Sequence, residues 1–223
     1  PRTHDAGEKT WLGRRIAASG KAQGDEALDV LASHPATAHH LSFKLAQYFV
    51  SDRPDPALVA RLAKVYLGSD GNITAVLREL LLGDAFWSPQ NMGTKFKTPY
   101  HYTLSALRAS GCTITKVQGV LNHLSAQGMP LFGCQTPDGY KNTEAAWLNP
   151  DGMSKRINVA TQLANGRLGA ERLPCTLDTD ALMAHLGPLA TPATRELAQR
   201  QQQSKDPALA AALLLAGPGM MRR

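Results

Sequence analysis

The chain has 223 residues, 43% of them hydrophobic and 19% charged, with a formal net charge of +6. This is ordinary globular composition, long enough for one domain or two small lobes around a real core. No apolar run approaches the roughly eighteen residues that span a bilayer, the longest being "LAAALLLAGPGMM" from Leu209.

The basic balance invites a nucleic-acid reading, but the basic residues do not support it. Only Arg14-Arg15 and Arg222-Arg223 are adjacent pairs, and no Lys/Arg stripe carries interleaved aromatics. We expect no specific nucleic-acid partner. Pro1 opens the chain, and "PRTHDAGEKTWLG" has no leader-like character. We therefore expect a processed or truncated piece of a longer protein.

In chain order, "AGEKT" at Ala6 to Thr10 glances at a phosphate loop, but Glu8 stands where the second glycine belongs. Helix starts follow at "HPATA", "DPALV", "TPYHY", "TPATR" and "DPALA", each with proline behind a polar residue. Asp55, Thr98, Thr191 and Asp206 read as N-caps. Apolar residues recur at helical spacing: Leu41, Leu45, Tyr48 and Phe49; then Leu58, Val59, Leu62, Val65 and Tyr66; then Ile73, Val76, Leu77, Leu80 and Leu81. The pattern returns at Val117, Val120, Leu121 and Leu124, and at Met153, Ile157, Ala160 and Leu163. Leu182 with Leu186, and Leu209 with Leu213, predict two helices near the end, and "AQRQQQSKD" from Ala198 reads as an exposed helix end. No run alternates long enough for a convincing strand. The expectation is an all-α, irregular multi-helix globular domain over 1–223, with long aromatic-containing loops and no significant sheet. Sub-lobes 1–88 and 89–223, joined through "SPQNMGTKFK", are the finer division.

The stretch Phe132 to Met153, "FGCQTPDGYKNTEAAWLNPDGM", fits neither period. Tyr140 and Trp147 each bury about 150–250 Å² when packed, so both should sit against helices or line a groove. A long irregular loop this rich in aromatics reads as an ordered one. Asp138, Glu144 and Asp151 cluster in it as loop or capping carboxylates, with Asp151 the expected cap of the helix near Met153. Elsewhere, His39 and His40 point about 100° apart on a helix and lack metal-ligand spacing. No GxSxG occurs. Cys112, Cys134 and Cys175 are widely spaced. One disulfide with a free thiol would suit an exported protein and three buried thiols a cytosolic one. Neither a metal nor a cofactor is expected.

Six stretches resemble, in order, one bacterial family: "HDAGEKTWLG", "ALDVLASHPATAHHLSFKLAQYFVSD", "PALVARLAKVYLGSDGNITAVLRELL", "FKTPYHYTLSALRASG", "GMPLFGCQTPDGYKNTEAAWLNPDGMSKRINVATQLANGR" and "ALAAALLLAGPGMMRR". Together they are similar to the carboxy-terminal half of domain-of-unknown-function family eighteen-hundred. The resemblance implies that an amino-terminal helical half precedes this chain, that many members are exported, and that they are often encoded beside proteins resembling alkaline phosphatases and sulfatases. It supplies no catalytic residue. Two positions depart from the family pattern: "LLLAGPGMMRR" replaces an ending like "SPEFQRR", and His39 stands where many members carry arginine.

With "HDAGEKT" and "FKTP", the loop supplies most polar and aromatic positions that helix packing leaves unexplained. We expect His4, Asp5, Lys9, Lys97, Tyr140, Trp147, Arg156 and Asn158 to line one ligand or partner cleft. Two functions compete. One is a binding or assembly module of an exported bacterial system, periplasmic or secreted, working with the missing amino-terminal half and a phosphatase- or sulfatase-like protein. The other is a hydrolase acting on an extracellular polymer or ester through acid–base residues in the cleft. A cytoplasmic location is the alternative to export.

Overall fold

The structure is a computed structural model that describes residues 5, 7–203 and 206–223, without the side chain of Gln202. The chain is all-α apart from two short hairpins and divides into two compact units, Pro1–Ser88 and Pro89–Arg223. Among the described residues no helix is long and apolar enough to cross a membrane.

The first unit opens on an antiparallel hairpin, β1 (Lys9–Trp11) with β2 (Arg14–Ile16), in the register Thr10↔Arg15. Its two-residue turn places Leu12 at φ 47° and Gly13 at φ 73°. Both angles suit the turn type that matches strand twist, and glycine supplies one of them without strain. Helices α1 (Ala22–Ala32), α2 (Pro35–Phe49), α3 (Pro56–Gly68), α4 (Ile73–Leu82) and the single turn α5 (Asp84–Trp87) follow. Polar caps set their starts. Asp55 accepts from Ala57 N at 2.8 Å, Asn72 from Ala75 N at 3.1 Å, and the His34 ring from Ala36 N at 3.1 Å. Leu58, Val59, Leu62 and Tyr66 of α3 pack with Val76 and Leu80 of α4 and Ala38 and Ala46 of α2. On α2 the inward stripe is Ala38, Ser42 and Ala46, while Tyr48 and Phe49 turn outward. Small residues there let α2 and α3 approach closely. Tyr66 donates its hydroxyl to Ala32 O at 2.9 Å and ties α3 to the end of α1.

The second unit holds α6 (Pro99–Ser110), α7 (Gln118–Ala126), the single turn α8 (Glu144–Trp147) and α9 (Pro150–Ala164). A minimal hairpin follows, β3 (Arg167–Leu168) with β4 (Glu171–Arg172), then α10 (Thr179–Leu186), α11 (Pro192–Gln203) and α12 (Pro207–Ala216). Thr98, Thr191 and Asp206 cap α6, α11 and α12 as their sequence contexts predict, accepting from His101 N, Thr194 N and Leu209 N. The core joins Tyr102 and Ala106 of α6, Val120 and Leu124 of α7, Val159, Ala160 and Leu163 of α9, and Leu214 and Leu215 of α12. On α9 Ala160 and Leu163 are buried as expected, and the departures from the expected stripes of α9 and α12 are at single positions. Arg156 takes the inner place while Ile157 is half exposed, and Leu214 is buried while Leu209 is not. The last residues pair with the segment before α6. Lys97 N donates to Met221 O at 2.7 Å, Arg223 N donates to Lys95 O at 2.9 Å, and Phe96 and Arg222 form an antiparallel bridge.

Cys112, just after α6, is disulfide-bonded to Cys175, just before α10, across a sequence separation of 63; Cys134 is a free thiol. Closing a loop of that length removes unfolded-state entropy worth about 4 kcal/mol in the chain-entropy model. Serine at both Cys112 and Cys175 should therefore lower the guanidinium midpoint by up to that equivalent. Titration of the denatured, unreduced protein should find one thiol. Three would refute the pairing.

Candidate functional site

Residues Gln127–Thr143 form neither helix nor strand, yet the segment is fastened at every few residues. Met129 N donates to Leu124 O at 2.9 Å, and Gly133 N to Pro130 O at 3.0 Å. Tyr140 donates its hydroxyl back to Pro130 O at 2.8 Å, and Trp147 its indole N–H to Lys141 O at 2.7 Å. The two rings lie 6.2 Å apart, and Trp147 packs on the core of the second unit. These bonds satisfy backbone carbonyls that have no ladder, which is how a structureless stretch stays ordered. At the tip, Phe132 is 98% exposed and sits at φ 58°. A bulky side chain in the left-handed region costs of order 1 kcal/mol, and here the ring projects into solvent.

Each loop carboxylate is neutralised locally. Asp138 pairs with Lys141, and the hydrogen bonds from Lys141 and Thr136 hold its carboxyl down to about 2. Glu144 receives both Nη atoms of Arg222, at 3.0 and 2.9 Å. Asp151 lies in the first turn of α9 and pairs with Lys155 at 2.6 Å; it does not cap the helix. Asn149 does, because it precedes Pro150 and its side chain reaches Gly152 N at 2.8 Å.

At this helix start lies a cavity of about 80 Å³, walled by Pro99, Gln127, Trp147, Asn149, Asp151 and Arg156 among others. Arg156, one of these lining residues, is 1% exposed. Its guanidinium stands 4.6 Å from the Phe96 ring centroid and 5.1 Å from that of Tyr102. Nη2 donates to Lys97 O at 2.7 Å, and Nη1 contacts Met221 Sδ at 3.4 Å, while Nε has no partner. Burial pulls the group down to about 10. Gln127, 7% exposed, gives its amide hydrogens to Thr103 Oγ1 and His123 O, and its Oε1 has no partner.

Beside Arg156, the Lys97 ammonium is also buried, and among the described residues its hydrogen-bond partner is Met220 Sδ at 4.0 Å. Desolvation lowers it to about 8, with Arg223 and Arg156 adding repulsion. His101, bonded through Nδ1 to Thr98 Oγ1 at 2.8 Å, is lowered to about 4, again mainly by burial, then by Arg223, Lys97 and Lys95.

Of the residues expected to line one cleft, Lys97 and Arg156 touch, Trp147 and Arg156 wall the same cavity, and the Tyr140 ring lies tilted beside that of Trp147. Asn158 is on the exposed side of α9, where its Oδ1 accepts from Gln162 at 3.2 Å. Asp5 and Lys9 belong to the first unit. There the Lys9 ammonium is spent on Asp5 O, Gly7 O and Gln23 Oε1, and the buried Gln23 in turn donates to Gly7 O and Ala17 O. His4 lies outside the described residues. Sequence reasoning missed Gln127 and Phe132, since a glutamine at a helix end and a phenylalanine in a loop carry no pattern.

Among known families, the model described as Protein of unknown function (DUF1800) matches residues 1–222. The chain belongs to this family. No curated protein and no solved structure matches it.

Lys97 offers a pH test. Its amine is harder to charge in the folded chain than in the unfolded one, so the unfolded state holds more protons between about pH 8 and the ordinary lysine range. Stability therefore rises with pH across that window. Lys97→Met should abolish this rise and add up to about 3 kcal/mol at pH 7, read from denaturant midpoints. An unchanged pH slope would show that Lys97 is not the buried charge.

Proposed function

We propose that this chain is a binding or assembly module of an exported bacterial system, and that the second unit meets its partner through the loop of residues 129–149. The observation that carries this reading is Phe132, held almost fully in solvent at a strained backbone angle by a turn that the Tyr140 hydroxyl braces. Exposed, rigid aromatics are the usual anchors of protein interfaces, filling a partner's pocket at little entropic cost. Leu131, 46% exposed, widens the same tip. The disulfide suits export. The partners we favour are the amino-terminal half that the family resemblance implies and the phosphatase- or sulfatase-like protein encoded nearby. Of the residues expected to line a cleft, Lys97, Tyr140, Trp147 and Arg156 belong to the unit that carries this tip.

The competing hydrolase reading rests on a different observation, the hydroxyl–imidazole contact of Thr98 with His101 beside the depressed amine of Lys97. The same contact is what a capping threonine makes with a residue in the first helical turn. No loop carboxylate stands ready as a proton donor, since each is paired with a cation.

The experiment is a pull-down from the native bacterium with tagged wild-type chain and Phe132→Asp, read by mass spectrometry. Recovery of the phosphatase- or sulfatase-like neighbour by wild type, with at least tenfold less by the variant, is expected. Equal recovery would remove Phe132 from the interface. Failure of both, with Thr98→Ala abolishing hydrolysis of a model ester by the wild-type chain, would favour the enzyme.

A further inference from the structure

The minimal hairpin of β3 and β4 carries a like-charge pair that no carboxylate answers. Arg167 and Arg172 stand directly opposite one another in its register. Opposed residues of an antiparallel pair share a face, and like charges so placed destabilise it. The other two strand residues face the opposite way. Leu168 is buried in the core, and Glu171 accepts from Thr115 Oγ1 and, at 3.2 Å, from Lys116 N. Among the described residues neither guanidinium has a hydrogen-bond or ion-pair partner. With Thr161, Gln162 and Asn165 of α9 and Gly169 of the turn, the two arginines line an open hollow of about 580 Å³. None of these residues is acidic.

We propose that this hollow binds a tetrahedral dianion, phosphate or sulfate, free or as the monoester of a small molecule. Guanidinium forks hold such oxyanions bidentately, and an anion between the two arginines turns their repulsion into a bridge across the hairpin. The charge sets the ligand class. Two uncompensated cations reject a metal ion, and a monocarboxylate neutralises only one of them. Both arginines are exposed, so a ligand reaches them from solvent without any opening of the fold. On the α9 wall, Asn165 Nδ2 gives one hydrogen to Thr161 O at 2.8 Å and has a second to offer. The hairpin is anchored on both sides of the arginines: Leu173 N donates to Gly166 O at 2.8 Å, and Gly169 N to Gln162 Oε1 at 2.7 Å. Two arginines with no aromatic between them do not make the long basic groove that follows a nucleic-acid backbone. The site belongs to the second unit alone and stands whether or not the Phe132 surface binds a partner.

The test follows the backbone amide resonances of Gly169 and Arg172 in the ¹⁵N-labelled chain during titration with sodium phosphate, sodium sulfate, methyl phosphate and sodium acetate. Chloride holds the ionic strength constant. Saturable shifts with phosphate or sulfate, at least tenfold tighter than with acetate, are expected. Methyl phosphate separates the sources: binding at least as tight as that of phosphate assigns the site to an ester, and weaker binding assigns it to the free ion. Arg167→Gln and Arg172→Gln should each weaken the phosphate response at least tenfold. Should either variant not fold, the wild-type ranking of the ions decides alone. Two results overturn the proposal. One is a response to phosphate and sulfate that does not saturate or that acetate equals, which would be screening only. The other is phosphate binding unchanged in both variants, which would put the anion elsewhere.

Discussion

The second unit is arranged around one buried cation. Arg156 lies between the faces of Phe96 and Tyr102, gives a hydrogen bond to Lys97 O and touches Met221 Sδ. These contacts reach the segment before α6, α6 itself and the last residues of the chain, so a single guanidinium fixes three parts of the unit against α9. Tyr102 closes the same knot by donating its hydroxyl to Arg156 O at 2.9 Å. Taking a guanidinium out of water is costly, and no carboxylate meets this one. Two aromatic faces and a carbonyl replace its hydration instead, since a delocalised, weakly hydrated cation tolerates π surfaces better than an ammonium does. Lys97 shows the contrast: a compact charge in the same place meets the sulfur of Met220, and burial drives its proton off more easily.

This explains what could be read from the sequence and what could not. The caps at Asp55, Thr98, Thr191 and Asp206 were legible because capping is local: a polar side chain, a proline and a free amide lie within four residues. Helix existence was legible for the same reason. The faces were less so. Counting apolar residues put Ile157 inside and left Arg156 to the cleft, whereas the fold buries the arginine and half exposes the isoleucine. Periodicity cannot see an arginine whose partners sit about sixty residues away on either side. On α2 it likewise favoured the bulky Tyr48 and Phe49, when close packing on α3 asked for Ala38 and Ala46.

The loop that breaks both periods turned out to be ordered by side chains bonding to carbonyls. Its aromatics play two parts: Trp147 staples it to the core and walls a cavity, while Phe132 has no place inside at all. Composition predicted an ordered loop but could not say which aromatic faces out. That choice depends on the turn at Pro130 and on the bond from Tyr140, which exists only in the folded chain.

The pairing of residues 95–97 with 221–223 bears on how the protein is made. The first unit is stitched by neighbours: α2 with α3, α3 with α4. It can acquire its core while the ribosome is still extending the chain. The second unit comes later, because its central guanidinium waits for Met221 and its edge for Arg222. Until those residues have cleared the exit tunnel, α6 and α9 hold a cation and two aromatic faces with nothing to close over them. For that interval the nascent chain is half native and half in need of a chaperone's cover.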